Sequence, residues 1–162
     1  MGVGNAHPTF SILHSTFFIL DIGDYMNTFK LKIVSSRRVF FEGDCVQLVL
    51  PIADGGLMGF LAQHENCVAP IEFGEMKITP AEGDDIYAFI GSGFIEFFDN
   101  TATVVCISCQ LPEEIDRERA EEARERAQEK LRQKQSLFEY HQTANDLARA
   151  MERLKIKNRH EI

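Results

Sequence analysis

The stretch Cys109 to Ala120, CQLPEEIDRERA, divides the chain into two kinds of sequence. Before it lie short apolar runs broken by turn formers; after Pro112 there is no further Gly or Pro, and Glu, Arg, Ala and Gln take over. All 11 glycines fall at or before Gly93, and 12 of the 13 phenylalanines precede Phe138. Strong helix formers with acids in the first turn predict a helix over 113–134, because the helix dipole favours negative charge at that end. Its apolar stripe, Ile115, Ala120, Ala123, Ala127 and Leu131, is narrow and buries little area. A second stripe, Ala144, Leu147, Ala148, Met151 and Leu154, predicts a second helix that folds back around Gln135 to Leu137. Charge supports the pairing: Glu113 to Glu129 holds eight acids and four bases, and the segment from Lys130 holds four acids and eight bases.

Upstream, Phe29, Leu31 and Ile33 alternate with polar neighbours, and Cys45 to Leu50 is rich in Val and Leu. Further runs at 75–79, 86–90, 94–98 and 103–109 are separated by the turn formers Glu82-Gly83-Asp84 and Asp99-Asn100. Close spacing without intervening helices excludes a doubly wound parallel sheet, and antiparallel hairpins of this kind bury two inner faces only as a sandwich or a barrel. The expected fold is therefore α+β, an antiparallel β-sandwich or barrel over 26–110 followed by a two-helix antiparallel hairpin over 111–162. Residues 1–25 read as a leader or disordered extension, with Met26 the natural start of the folded part.

The 162 residues carry 25 acids and 17 bases, a formal charge of -8, which argues against a nucleic-acid binder. The apolar run Thr16 to Leu20 ends at Asp21, far short of the roughly 20 residues of a bilayer span, so direct membrane insertion is not expected. Four cysteines are too few for a disulfide scaffold and fit a reducing compartment. Cys106 and Cys109 invite a metal or redox enzyme reading. On one continuous strand, however, residues three apart point to opposite faces, so both are expected to be small buried hydrophobes, as are Cys45 and Cys67. Gly55, Gly56 and Gly59 are expected to be turn residues with positive φ, since no Lys-Ser/Thr follows to make a phosphate cradle. His64 is expected to make local backbone hydrogen bonds.

From Met26 onward the sequence resembles the epsilon subunits of the F-type, rotary ATP synthases. The resemblance rests on Phe29-Lys30-Leu31-Lys32-Ile33-Val34, Val39-Phe40-Phe41-Glu42-Gly43 and Val49-Leu50-Pro51, read as that family's first strands. Gly59-Phe60-Leu61-Ala62-Gln63-His64, Gly91-Ser92-Gly93-Phe94-Ile95-Glu96 and the helix start Pro112-Glu113-Glu114-Ile115-Asp116 follow in the family's order. It implies a non-catalytic subunit of the central stalk that binds the gamma subunit and the c-ring in proton-driven ATP synthesis. It also implies a hairpin that extends toward the catalytic alpha/beta head to inhibit hydrolysis, and a peripheral position on the cytoplasmic side of a bacterial membrane. Gly59, Leu61 and His64 would lie toward the c-ring.

Ile115-Asp116-Arg117-Glu118-Arg119-Ala120 is similar to the Ile/Leu-Asp-x-x-Arg-Ala pattern with which some bacterial epsilon subunits bind ATP. No cofactor is required, and ATP would be a regulatory ligand. Ile115, Asp116, Arg119 and Ala120 carry the pattern, and Arg126, Arg149 and Arg153 would join Arg119 around the polyphosphate if the helices fold back together. Against this stands a solvated charged face with pairs such as Glu122 and Arg126. At Gln110 the sequence departs from nucleotide-binding members, which carry Glu. The competing function is a free-standing nucleotide-sensing protein outside any complex.

Overall fold

The computed structural model describes residues 27–133 and 136–160, so the expectation for residues 1–25 lies outside it, as does the centre of the interhelical turn at residues 134–135. Among the described residues nine strands come first: β1 Phe29–Ser35, β2 Val39–Pro51, β3 Leu57–Leu61, β4 Cys67–Ile71, β5 Gly74–Pro80, β6 Ile86–Ile90, β7 Gly93–Phe98, β8 Thr101–Cys106 and β9 Cys109–Gln110. A 3₁₀ turn, Pro112–Glu114, leads to α1, Arg117–Arg132, and α2, Leu137–His160. Among the described residues no helix is long and apolar enough to cross a membrane.

In β1, Phe29, Leu31 and Ile33 are buried while Lys30 and Lys32 point outward. Antiparallel pairing sets these lysines opposite Asp44 and Glu42 on β2, with ion pairs at 2.7 and 3.1 Å. The strand order β4-β7-β8-β1-β2-β5-β6-β9 folds into two layers that share β2. The first part of β2 pairs with β1; after a bulge at Val46 its second part pairs with β5 and β3. Phe29, Phe60 and Phe97 meet inside, with ring centroids 5.4 and 6.2 Å apart.

Two details differ from the sequence reading. The pairing of β1 with β8 is parallel, so the sandwich is not wholly antiparallel. Gly59 lies within β3 and has no left-handed backbone, whereas Gly55 does turn with φ of 89°. Gly56 likewise is not left-handed.

Asp116 caps α1 by accepting the Arg119 amide at 3.1 Å. An Arg117 to Asn158 hydrogen bond of 2.9 Å fixes the antiparallel register of the two helices. Ala120 and Ala127 are buried on α1 as expected. On α2 the buried positions are Thr143, Ala150, Leu154 and Ile156, with Leu147 half-buried, while Ala148 and Met151 of the expected stripe are exposed. The reason is that α2 serves two neighbours. One stripe follows α1, and a second, Arg149, Arg153, Ile156 and His160, lies on the sandwich, where Ile156 joins Phe89, Ile115 and Phe73 in a small apolar cluster.

Candidate nucleotide and interface sites

The end of the sandwich and the start of the helices are built as one joint. β9 pairs with the end of β6, placing Gln110 opposite Phe89. Glu114 accepts the Leu111 amide at 2.9 Å and takes the Arg38 guanidinium with a 2.7 Å contact. The Leu111 hydrogen bond first, and Arg38 with it, hold the Glu114 carboxyl below its ordinary value of 4.5. A carboxyl depressed by folding contributes stability that is complete above its unfolded value and disappears as pH falls through the folded one. Melting temperature is therefore expected to fall below about pH 4.5 less steeply in Glu114→Gln than in the parent, which denaturation curves across that range will check.

Of the seven nucleotide-site candidates, the structure gathers some and assigns others local work. Arg153 is half-buried; its Cζ stands 4.2 Å from the Phe89 ring centroid and its Nε donates to Gln110 Oε1 at 3.2 Å. Burial first, then the neighbouring Arg149, pull Arg153 below the usual arginine value. Arg149 lies one turn earlier, over Phe73 at 5.4 Å, with Asp146 at 3.5 Å. Two adjacent guanidinium groups, one partly desolvated and bonded to a neutral amide, are the chemistry that a phosphate or carboxylate would meet here. Arg126 stands level with Arg149, each nine residues along its helix from the Arg117 to Asn158 tie, but is engaged by Glu122 at 3.1 Å. Arg119 is exposed on the first turn of α1. Ile115 is an apolar anchor 3% exposed, Ala120 is buried, and the Asp116 carboxylate is occupied as a helix cap.

Gly59 and Leu61 lie on β3, where Leu57 and Leu61 are exposed large apolar residues. His64 follows, its Nδ1 2.9 Å from the Glu65 carbonyl and its ring against Phe60 and Phe97 at 4.9 and 5.4 Å. A second apolar surface, absent from the sequence reading, runs over β4, β7 and β8: Val68, Phe94, Phe98 and Val105 are exposed, with Ile107 just beyond. Its signal was present in the outward phase of Phe94, Glu96 and Phe98, opposite to that of the buried Ile95 and Phe97.

The cysteines correct one expectation. Cys106 ends β8 and Cys109 begins β9, so an intervening bend resets the side-chain phase and both thiols enter the same core. They are buried as expected, but they do not point to opposite faces.

Residues 28–111 match the family model described as ATP synthase, Delta/Epsilon chain, beta-sandwich domain, and residues 113–158 match its long alpha-helix domain. The chain belongs to the ATP synthase delta/epsilon family. Within it, the resemblance is to epsilon chains: that of Ruminiclostridium cellulolyticum is 37% identical over 134 residues, covering 83% of this chain and 98% of the relative. That of Caldicellulosiruptor bescii is 38% identical over 139 residues, covering 85% and 100%. In fold the chain is similar to one in the Euglena gracilis mitochondrial ATP synthase, with TM-score 0.68, 21% identity and coverage of 78% of this chain and 79% of that one. As an epsilon-type member of the delta/epsilon family it is a non-catalytic subunit of an ATP synthase. The family's two domains meet at Pro112, where Glu114 and Arg38 tie the helices to the sandwich.

Proposed function

We propose that this subunit works in the central stalk, where its sandwich binds a gamma subunit and a c-ring and its hairpin regulates ATP hydrolysis by leaving the sandwich for the alpha/beta head. The reading places it at the cytoplasmic face of a bacterial membrane, in an enzyme driven by proton flow. The two exposed apolar surfaces, around Leu57 and Leu61 and around Phe94 and Val105, supply the chemistry that two partners would cover.

The observation that carries the regulatory part is how α2 sits on the sandwich. Among the described residues Ile156 is the fully buried apolar residue that α2 sets there; Arg149, Arg153 and the Glu75 cluster of Arg159 and His160 are polar contacts beside it. Such a contact separates at modest apolar cost, as a two-state element requires. ATP would hold the closed state, because only when the hairpin lies on the sandwich would its phosphates meet Arg149 and Arg153 set against Phe73, Phe89 and Gln110. Assembled synthase carrying a chain that ends at Leu111 is expected to hydrolyse ATP faster than synthase with the full chain. Equal rates at low ATP, where the hairpin should be extended, would contradict the regulatory role.

A further inference from the structure

We infer that Glu75 is a charge catch: its carboxylate holds the last turn of α2 on the sandwich and sets how readily the hairpin opens when no nucleotide is bound. The catch rests on the regulatory reading, in which the hairpin leaves the sandwich, and adds a control of that movement apart from Arg149 and Arg153. Glu75 lies on β5 opposite Phe89 of β6, beside the ring on which Arg153 and Ile156 rest. One of its oxygens meets the Arg159 guanidinium, and the other is 2.8 Å from His160 Nε2. The His160 ring in turn stacks on Tyr87, with 4.6 Å between centroids and 23° between planes.

Burial distinguishes this contact from an ordinary surface ion pair. The Glu75 side chain is 17% exposed and that of His160 22%. Charges so covered are screened less by water and salt than a fully exposed pair. Among the described residues, the hydrogen bonds and ion pairs of the Glu75 carboxylate go to Arg159 and His160. Nearby charges are engaged on their own side of the contact: Lys77 with Asp85 at 2.8 Å in the sandwich, and Lys155 with Glu152 at 3.2 Å on α2. Both partners of Glu75 belong to α2, so departure of the helix removes them together and leaves the carboxylate to water.

The place of the catch gives it leverage. Beside it an open groove of about 620 Å³ lies between α2 and the sandwich, with Glu152, Lys155 and Arg159 on one wall and Pro51, Leu57 and Tyr87 on the other. Apolar packing therefore does not close this side of the helix, and the charged contact carries the hold. The catch also bears on α1. Asn158, the residue before Arg159, accepts from Arg117 at 2.9 Å, so the turn of α2 that Glu75 holds is the turn that sets the register of the hairpin.

Hydrogen exchange of the full chain without nucleotide, read at the α2 amides from Met151 to His160, tests the catch. Glu75→Gln keeps the shape and removes the charge; these amides are expected to exchange about tenfold faster in it, while β1 and β8 exchange as in the parent. Arg159→Gln is expected to act in the same direction, and the double variant to be no faster than Glu75→Gln alone, because the two residues act through one contact. Unchanged exchange in Glu75→Gln, or single effects that multiply in the double variant, would overturn the catch. Hydrolysis by assembled synthase, at an ATP concentration that leaves the wild type partly inhibited, separates the catch from the regulatory reading. Where the chain ending at Leu111 raises the rate, Glu75→Gln in the full chain is expected to lower it, since the freed hairpin inhibits; a rate equal to wild type would overturn the catch as a control. A truncation without effect would contradict the regulatory reading instead, and the exchange result would still decide whether Glu75 holds α2.

Discussion

Gly93→Ala is expected to destabilise the sandwich by about 3 kcal/mol or more, at or beyond the upper end of ordinary overpacking. A Cβ at Gly93 would fall 2.0 Å from the Val105 carbonyl oxygen and 2.8 Å from the Cys106 Cα. Both obstacles are backbone, so no side chain can turn aside. Gly93 is paired with Cys106 on β8 and Ile71 on β4, so relief requires parting the strands that carry Phe97 and Val104 in the core. In a domain whose whole stability is about 5–15 kcal/mol, the loss lowers the melting temperature by roughly 10 °C. Gly59→Ala is the control. Its Cβ would meet nothing within 4 Å, and its backbone is not left-handed. Thermal denaturation of the two variants should therefore separate sharply, and similar melting temperatures would mean that β7 and β8 do not approach this closely.

The second large effect concerns Arg153. If ATP binds beside Gln110, Arg153→Ala should weaken its binding by tenfold or more, since one charge-assisted hydrogen bond is worth about 1.5–3 kcal/mol and about 1.4 kcal/mol is a factor of ten. The sandwich should unfold almost as before, because the side chain is only half-buried and its removal also relieves Arg149. Arg153→Lys keeps the charge but loses the guanidinium fork and is expected to bind with intermediate affinity. Linkage gives a second readout. At ATP a hundredfold above its dissociation constant the closed wild-type hairpin gains about 2.7 kcal/mol, and the alanine variant gains less at the same concentration. Calorimetric titration with an ATP-dependent melt checks both. A wild type that shows neither heat nor stabilisation up to roughly 1 mM ATP, an affinity of only about 4 kcal/mol, would leave these arginines as a charged surface.

The two-part architecture was legible because each part is locally consistent: Phe29, Leu31 and Ile33 alternate as a strand must, and Arg117 to Arg132 contains nothing that breaks a helix. β3 was hidden because Gly55, Gly56 and Gly59 suggest a loop, and β4 because Pro70 is unusual in a strand; on the edge of the sheet it removes no needed donor. The parallel pairing of β1 with β8 joins residues about 70 positions apart and leaves no local trace. On α2 the difficulty was chemical. Arg149 and Arg153 read as a nucleotide site set against a solvated charged face, and neither reading shows that their stems, with the His160 ring, lie against Phe73, Phe89 and Tyr87. The motif Ile115 to Ala120 was legible as a pattern, but its division into anchor, cap and seam appears only once Phe89 and Ile156 are placed around it. Cys106 and Cys109 are buried as the sequence suggested, but the bend between them that turns both into one core was not legible in it.

Capture of the tagged full chain from membranes of its source, with identification of what accompanies it, addresses the central-stalk assignment most directly. The expected result is a stoichiometric gamma subunit together with the c-ring, and loss of that association when charged residues replace Phe94 and Val105 or Leu57 and Leu61, the two exposed apolar surfaces. Recovery of the chain alone, in a folded state that binds ATP without any synthase subunit, would contradict the assignment.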